Sequence, residues 1–225
     1  MSLNTALISV DIVAFRLVKG RLNVLARRIQ ADGNKPEWML PAGKIDPVRD
    51  QSLDDTAYRQ LELLTNKKPG YIEQVVTLGD SQRDSRGWSL TIVYYALIDS
   101  SDSEQLAPSA QWLPSDAEAL KGQLAYDHSR LVQQALDRLK SKIQYSSLPV
   151  YLLPEHFTLS DIHGVFSAVL DKAPPMRSIR NRFLQGDLLI DTGRLKRGSN
   201  RPAALYKVNQ DSEAWLFDRL YISTR

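Results

Sequence analysis

Residues 38–64 read WMLPAGKIDPVRDQSLDDTAYRQLELL. The run Trp38-Met-Leu-Pro-Ala-Gly43 is a short extended piece closed by a glycine, and Pro47 marks the irregular stretch after it. Ser52 then begins a helix. Its hydroxyl suits an N-cap, and Asp54 and Asp55 lie in the first turn, where the helix dipole favours negative charge. Leu53, Ala57, Leu61 and Leu64 recur at helical spacing and mark one face. The helix should stop near Asn66, with Pro69-Gly70 beyond it.

Outward from this stretch the pattern changes to strands. Residues 8–29 form a hairpin: ISVDIVAFRL is strand-like, Lys19-Gly20 is the turn, and RLNVLARRI returns. Tyr71–Leu78 and Ser89–Asp99 are two further strands. The polar loop Gly79-Asp-Ser-Gln-Arg-Asp-Ser-Arg-Gly-Trp88 joins them. Pro108–Leu113 is a short edge strand. A long amphipathic helix runs from Asp127 to about Gln144, with Leu131, Ala135, Leu139 and Ile143 along one stripe. Asp127 reads as its cap.

At 225 residues the chain suits two modest domains, given ~150 residues per domain. Composition is ordinary for a globular protein, with 43% apolar and 24% charged residues. No apolar run approaches the ~18 residues of a bilayer span. The longest, near Ser89–Ile98 and Leu148–Leu153, are strand-sized. The N-terminus MSLNTALISVDIVAFR lacks a basic start and a small-residue cleavage site. A cytoplasmic protein with no membrane partner is the expectation. With no cysteine, disulfides, thiol nucleophiles and Cys-based zinc sites are excluded. His128, His156 and His163 are the only histidines, too few for a multi-His metal site.

Charge is unevenly spread. Residues 1–149 hold 18 basic and 18 acidic side chains, whereas residues 172–207 hold nine basic against two acidic. A basic island beside a neutral body is the footprint of a nucleic-acid contact. The domain boundary falls near Ser146–Pro149, dividing the chain into residues 1–147 and 148–225. One short helix starts at Thr158, with Asp161 three residues on in a capping-box arrangement, and buries Ile162, Val165, Phe166 and Val169. Pro174-Pro175 breaks the chain. A second helix, about Met176–Gln185, buries Ile179, Phe183 and Leu184 and ends at Gly186. Leu188–Thr192 and Ala203–Val208 are strands around the loop GRLKRGSNRP. Helix, turn, helix and basic hairpin is the order of a winged helix-turn-helix.

Within the second helix, Arg177, Ser178, Arg180, Asn181 and Arg182 form a polar face free of acids. Arg reads guanine edges and Asn adenine edges in the major groove, and Ser can meet phosphate. Arg194, Lys196, Arg197 and Arg201 in the following loop suit phosphate or minor-groove contact.

The first domain resembles a Nudix hydrolase, in which carboxylates of an Arg-Glu-apolar-x-Glu-Glu helix hold magnesium beside a diphosphate. Here the matching residues are Arg59-Gln60-Leu61-Glu62-Leu63-Leu64. Arg59 is kept, but Gln60, Leu63 and Leu64 stand at the three Glu positions, and a Leu cannot ligate magnesium. Glu62 lies elsewhere round the helix and does not replace them. No catalytic or metal-binding residue and no cofactor are expected. A diphosphate pocket can outlive the chemistry: Arg27 and Arg28 end a strand, and Arg83 and Arg86 sit on a glycine-bounded loop, where guanidinium groups match phosphate oxygens.

The whole chain, from Val10 to Val208, is similar to the NrtR family, Nudix-related transcriptional regulators of NAD metabolism. The specific matches are Gly79-Asp-x-x-Arg-Asp-x-Arg-Gly87, Ala125-Tyr-Asp-His128, Leu153-Pro-Glu-x-Phe-Thr-Leu159, the Arg-rich helix and Arg201-Pro-Ala-x-Leu-Tyr206. The resemblance implies an α+β chain, a Nudix-like α/β/α sandwich followed by a winged helix-turn-helix. It further implies ADP-ribose or a related NAD metabolite as effector. A homodimer would bind a palindromic operator and release it on ligand binding, controlling genes of NAD metabolism or sugar use. Arg27, Arg28, Trp38, Gly43, Arg83, Asp84, Arg86 and His128 are its ligand-binding candidates. Met176-Arg-Ser-Ile-Arg-Asn-Arg182 departs from the denser basic run of the family. Two other classes compete: an ADP-sugar diphosphatase with an accessory domain, and an RNA-binding or interaction module on a dead scaffold.

Overall fold

In the computed structural model, residues 6–29, 37–84, 86–101, 105–170, 172–185, 188–197, 202–209 and 216–217 are described. Two strands open the chain, β1 (Leu7–Val18) and β2 (Arg21–Arg28). Lys19 and Gly20 between them have φ of 50° and 74°. Positive φ at both turn positions is the type I′ geometry whose twist matches the strands it joins. Two-residue strands follow, β3 (Trp38–Met39) and β4 (Ala42–Gly43), then helix α1 (Leu53–Thr65). The Ser52 hydroxyl accepts from Asp55 N–H, and Asp55 answers at the Ser52 N–H. Asn66 ends α1 in the left-handed conformation, at φ 52°, a position where Asn is tolerated after Gly.

Strands β5 (Tyr71–Asp80) and β6 (Ser89–Leu97) are antiparallel partners, and β7 (Ala110–Pro114) pairs with β2. The sheet runs β3-β2-β1-β6-β5, with β1 and β6 parallel from Leu7↔Ser89 to Phe15↔Leu97. Centrally placed strands are buried on both faces, which explains their near-continuous apolar sequence. One face carries Val10, Ile12, Ala14, Ile92, Tyr94 and Ala96 in a single cluster with Ala57, Leu61 and Leu64 of α1. A short helix α2 (Ala117–Leu120) and the long α3 (His128–Ile143) complete this part. Leu131, Ala135, Leu139 and Ile143 of α3 are all fully buried, as their spacing predicts.

The apolar run Leu148–Leu153, strand-sized in the sequence, forms instead a 3-10 turn over Leu148–Leu152 with Pro149 in its first positions. A proline there has no N–H to lose and a φ already set for a helical turn. Helix α4 (Leu159–Val169) has the expected Thr158–Asp161 capping box. Helix α5 spans Met176–Phe183, shorter than expected: Leu184 is its C-cap and is 41% exposed rather than buried. Gly186 lies outside the described residues. Strands β8 (Leu189–Lys196) and β9 (Ala203–Val208) form the hairpin. Arg194 and Lys196 therefore sit on a strand, not in a loop. The ladder shifts between Asp191 and Leu195, where Gly193 takes φ 68°, and then resumes. Phe157 and Tyr206 exchange backbone hydrogen bonds at 3.0 and 2.8 Å, pairing the entry of α4 with β9.

By contacts the chain divides into two compact units. One comprises Met1–Arg16, Asn23–Ile98 and Asp102–Asp137; the other comprises Leu17–Leu22, Asp99–Ser101 and Arg138–Arg225. The end of α3, from Arg138 to Ile143, thus counts with the second unit. Among the described residues no helix is long and apolar enough to cross a membrane.

Candidate functional site

A cleft of about 180 Å³ opens in the first unit. The start of β1, Ser89 at the head of β6 and β4 line it, together with Arg83, Asp84, Arg86 and residues 126–128. Five of the eight ligand candidates line it: Gly43, Arg83, Asp84, Arg86 and His128. Asp11, Lys44, Tyr126 and Asp127 line it as well.

His128 is held from both sides. Its Nδ1 accepts the Leu40 N–H at 2.9 Å, so a neutral ring carries its proton on Nε2. That nitrogen stands 3.7 Å from an Asp11 oxygen. Burial pushes the His128 pKa down, against the pull of Asp11 and Asp127. Asp11 is itself buried in β1 and accepts the Thr91 hydroxyl at 2.5 Å. Arg83 donates through Nε and Nη2 to both oxygens of Asp127, each at 2.9 Å. These bonds to Asp127 raise the arginine's pKa. For Asp127, desolvation pushes upward, but Arg83 outweighs it and holds the carboxyl below its usual range. The Asp127 carboxylate is thus committed to Arg83. Only its backbone carbonyl serves α3, accepting from Arg130 and Leu131. Arg86 pairs with Asp84 at the rim, and those bonds draw the Asp84 pKa down to about 2.

Lys44 brings an exposed ammonium with no ion-pair partner among the described residues. Tyr126 stands at the edge, 67% exposed, its ring 5.3 Å from that of His128. It holds φ 59°, a left-handed conformation unusual for a bulky residue.

Three ligand candidates do not line the cleft, Arg27 and Arg28 of β2 and Trp38 of β3. Arg27 donates to the Met39 sulfur at 3.4 Å, and Arg28 pairs with Glu37 at the surface. Trp38 is half-buried on β3, opposite Arg28. The degenerate box is also explained. Arg59 bonds Asp50 at 2.8 and 2.5 Å and the Lys44 carbonyl at 3.1 Å, fixing the loop ahead of α1. Gln60 lies so close under Gly43 that a Cβ there would come within 2.4 Å of its side chain. Leu64 is buried at 7%, and Leu63 is 67% exposed. None of the three can ligate as a carboxylate, so these positions do not fit the hydrolases' magnesium.

In the second unit, Arg177, Arg180 and Asn181 are exposed on α5, Ser178 is half-buried, and Ile179 and Phe183 beneath them are fully buried. Arg182 is turned inward. It donates to the Gln144 carbonyl at 3.0 Å and lies over the Phe217 ring at 5.5 Å. Arg194, Lys196 and Arg197 are exposed on β8 and just past it, while Arg201 lies outside the described residues. Lys196 meets Asp161 of α4 at 3.2 Å.

Residues 149–208 match the NrtR DNA-binding winged helix domain. The ADPR responsive transcriptional repressor NtrR of Acinetobacter baylyi is 33% identical over 217 residues, covering 95% of this chain and 86% of that one. Shewanella oneidensis NrtR complexed with a 27mer DNA is 38% identical, with a TM-score of 0.83 over 95% of this chain and 98% of that one. The NUDIX domain of the same protein complexed with ADP ribose matches at 38% identity and a TM-score of 0.53, over 61% of this chain and 91% of that domain.

Proposed function

The chain belongs to the NrtR family of transcriptional regulators, and from that membership we propose that it is a DNA-binding repressor whose effector is ADP-ribose. An N-terminal domain, residues 1–147, senses the ligand, and a C-terminal domain, residues 148–225, reads the operator. Most weight rests on the cleft, where Arg83, Arg86 and Lys44 gather beside His128 in a fold whose relative was solved with ADP ribose. Three cationic side chains in a concave site suit a diphosphate.

For DNA, Arg177, Arg180 and Asn181 of α5 face the major groove, with Ser178 beside them, and Arg194, Lys196 and Arg197 meet phosphates. A homodimer on a near-palindrome, with half-sites ~34–36 Å apart or a multiple of that, follows from one reading helix per copy. The operator lies upstream of genes for NAD metabolism or sugar use. A gel shift on the chain's own upstream region, with and without ADP-ribose, tests this. A shifted band that ADP-ribose releases is expected. No band on that region or on any NAD-metabolism promoter would sink the repressor reading.

Hydrolysis is not part of the function. Gln60, Leu63 and Leu64 remove the carboxylates that the diphosphatase reading requires. Purified protein with ADP-ribose and magnesium should release no product at an ordinary enzymatic rate, on the order of 10 per second. Steady turnover at that rate would establish the diphosphatase instead.

A further inference from the structure

We propose that a diphosphate ligand takes Arg83 from Asp127, and that the freed Asp127 carboxylate turns to cap helix α3. This inference rests on the reading of the cleft as a diphosphate site and names the exchange that binding requires there.

The charged side chains that line the cleft already balance. Arg83, Arg86 and Lys44 face three carboxylates, Asp11, Asp84 and Asp127, around a histidine that burial keeps unprotonated. An incoming dianion meets those carboxylates as well as the cations, so one pair must open. The two arginine pairs differ in kind. Arg86–Asp84 sits at the rim with the arginine side chain 67% exposed, where an ion pair is weak and yields readily. Arg83 is only 12% exposed, and two of its three nitrogens are spent on Asp127 in a fork, with Asp11 4.0 Å away. A phosphate needing that fork bidentately cannot share it with Asp127.

Asp127 has a second use waiting. It is the residue before α3, and its carbonyl already accepts the first helical N–H groups. Asp is a favoured N-cap when its oxygen reaches the N–H two or three residues on, here that of Ser129, because the Arg130 N–H already donates to the Asp127 carbonyl. Released from Arg83, the carboxylate is placed to do this. Binding then exchanges the Arg83–Asp127 fork for a cap at the start of α3.

The test is calorimetry on full-length wild type, Asp127→Asn and Asp127→Ser. Both replacements keep a side chain able to cap α3, and both remove the carboxylate that engages two Arg83 nitrogens at once. The probes are ADP-ribose, ADP and inorganic pyrophosphate. ADP-ribose should bind both variants about tenfold tighter, the scale of one contested charge-assisted hydrogen bond. Weaker binding in both would mean that Asp127 orients Arg83 for the ligand, and unchanged binding that the pair lies outside the site; either overturns the exchange. If ADP-ribose fails on wild type while pyrophosphate or ADP binds and tightens in the variants, the exchange stands and the effector assignment falls. No binding of any probe to any of the proteins removes both. Amide exchange gives the second readout: ligand should slow exchange at Ser129 in wild type, and unchanged or faster exchange there would overturn the capping step.

Discussion

His128 illustrates how one side chain is fixed by what surrounds it. Its Nδ1 has a backbone N–H to accept, and burial disfavours a charged ring. The folded protein therefore holds it neutral, while an unfolded chain takes up a proton near ~6.5. Stability from this residue is full above that pH. It is lost as pH falls from there toward the lower folded value, because the unfolded state then binds more protons. His128→Asn keeps an acceptor near the Leu40 N–H and removes the titration. Melting curves from about pH 8 to about pH 5 should show the gap between wild type and variant closing as the pH drops. A pH-independent gap would mean that the ring is not held neutral. The sequence disclosed His128 through the Ala125-Tyr-Asp-His128 run, and it disclosed Arg83 and Arg86 through their glycine-bounded loop. It disclosed Asp11 less well, although a lone carboxylate inside ISVDIVAF was a signal in plain view. Asp127 stands directly before α3 as the cap reading places it, but its carboxylate pairs with Arg83, because a cap and an ion-pair partner share one sequence pattern. Only the arrival of residue 83 at hydrogen-bonding distance, set by the loop and the sheet, decides between them.

Helices α1 and α5 show what periodicity reveals and where it stops. The stripe Ala57, Leu61 and Leu64 fixed the buried face of α1, and burial bears it out. Restoring carboxylates on this helix should therefore give unequal costs. Leu64→Glu buries an unpaired charge and should cost about 3–5 kcal/mol. Leu63→Glu, on the exposed face, should stay within about 0.5 kcal/mol. Urea denaturation of both reads the contrast, and equal losses would refute this packing of α1. For α5, Ile179 and Phe183 were legible as core, but the inward turn of Arg182 was not. Its partners, the Gln144 carbonyl and Phe217, are distant in sequence. Phe217 also meets the Phe183 ring edge-on at 5.4 Å, and its N–H donates to the Tyr145 carbonyl at 2.7 Å. Phe217→Ala should lose about 0.5–1.5 kcal/mol from the ring pair alone, and operator affinity should fall with it, because α5 carries the proposed base-reading residues. Unaltered stability in the variant would show that this contact does not hold the helix. The β8–β9 hairpin is legible in the sequence, but a Gly193 bulge carries β8 on through Arg194 and Lys196, where the sequence reads as loop.

On the scale of the whole chain, charge is the property that separates its parts, and it can be counted in solution. Each Lys or Arg that neutralises a DNA phosphate adds ~0.9 to the slope of log affinity against log salt. Arg194 is exposed on β8, and Lys196 is already engaged with Asp161. Arg194→Ala should therefore remove its full contribution, and Lys196→Ala less than that, since Lys196 must leave Asp161 to meet a phosphate. Two copies on one operator double each effect. Arg194→Ala should thus lower the slope by about 1.8, on operator and scrambled DNA alike, because phosphates carry no sequence. Arg180→Ala should instead cost ~1–3 kcal/mol on operator and relax preference at one base position. The measurement is a titration of wild type and the three variants at several salt concentrations. A drop near 0.9 for Arg194→Ala would mean that one copy binds alone and the dimer is wrong. No drop at all would take the hairpin off the phosphates. Equal losses on both DNAs for Arg180→Ala would remove α5 as the reading element, since a residue that discriminates bases must lose more on the sequence it reads.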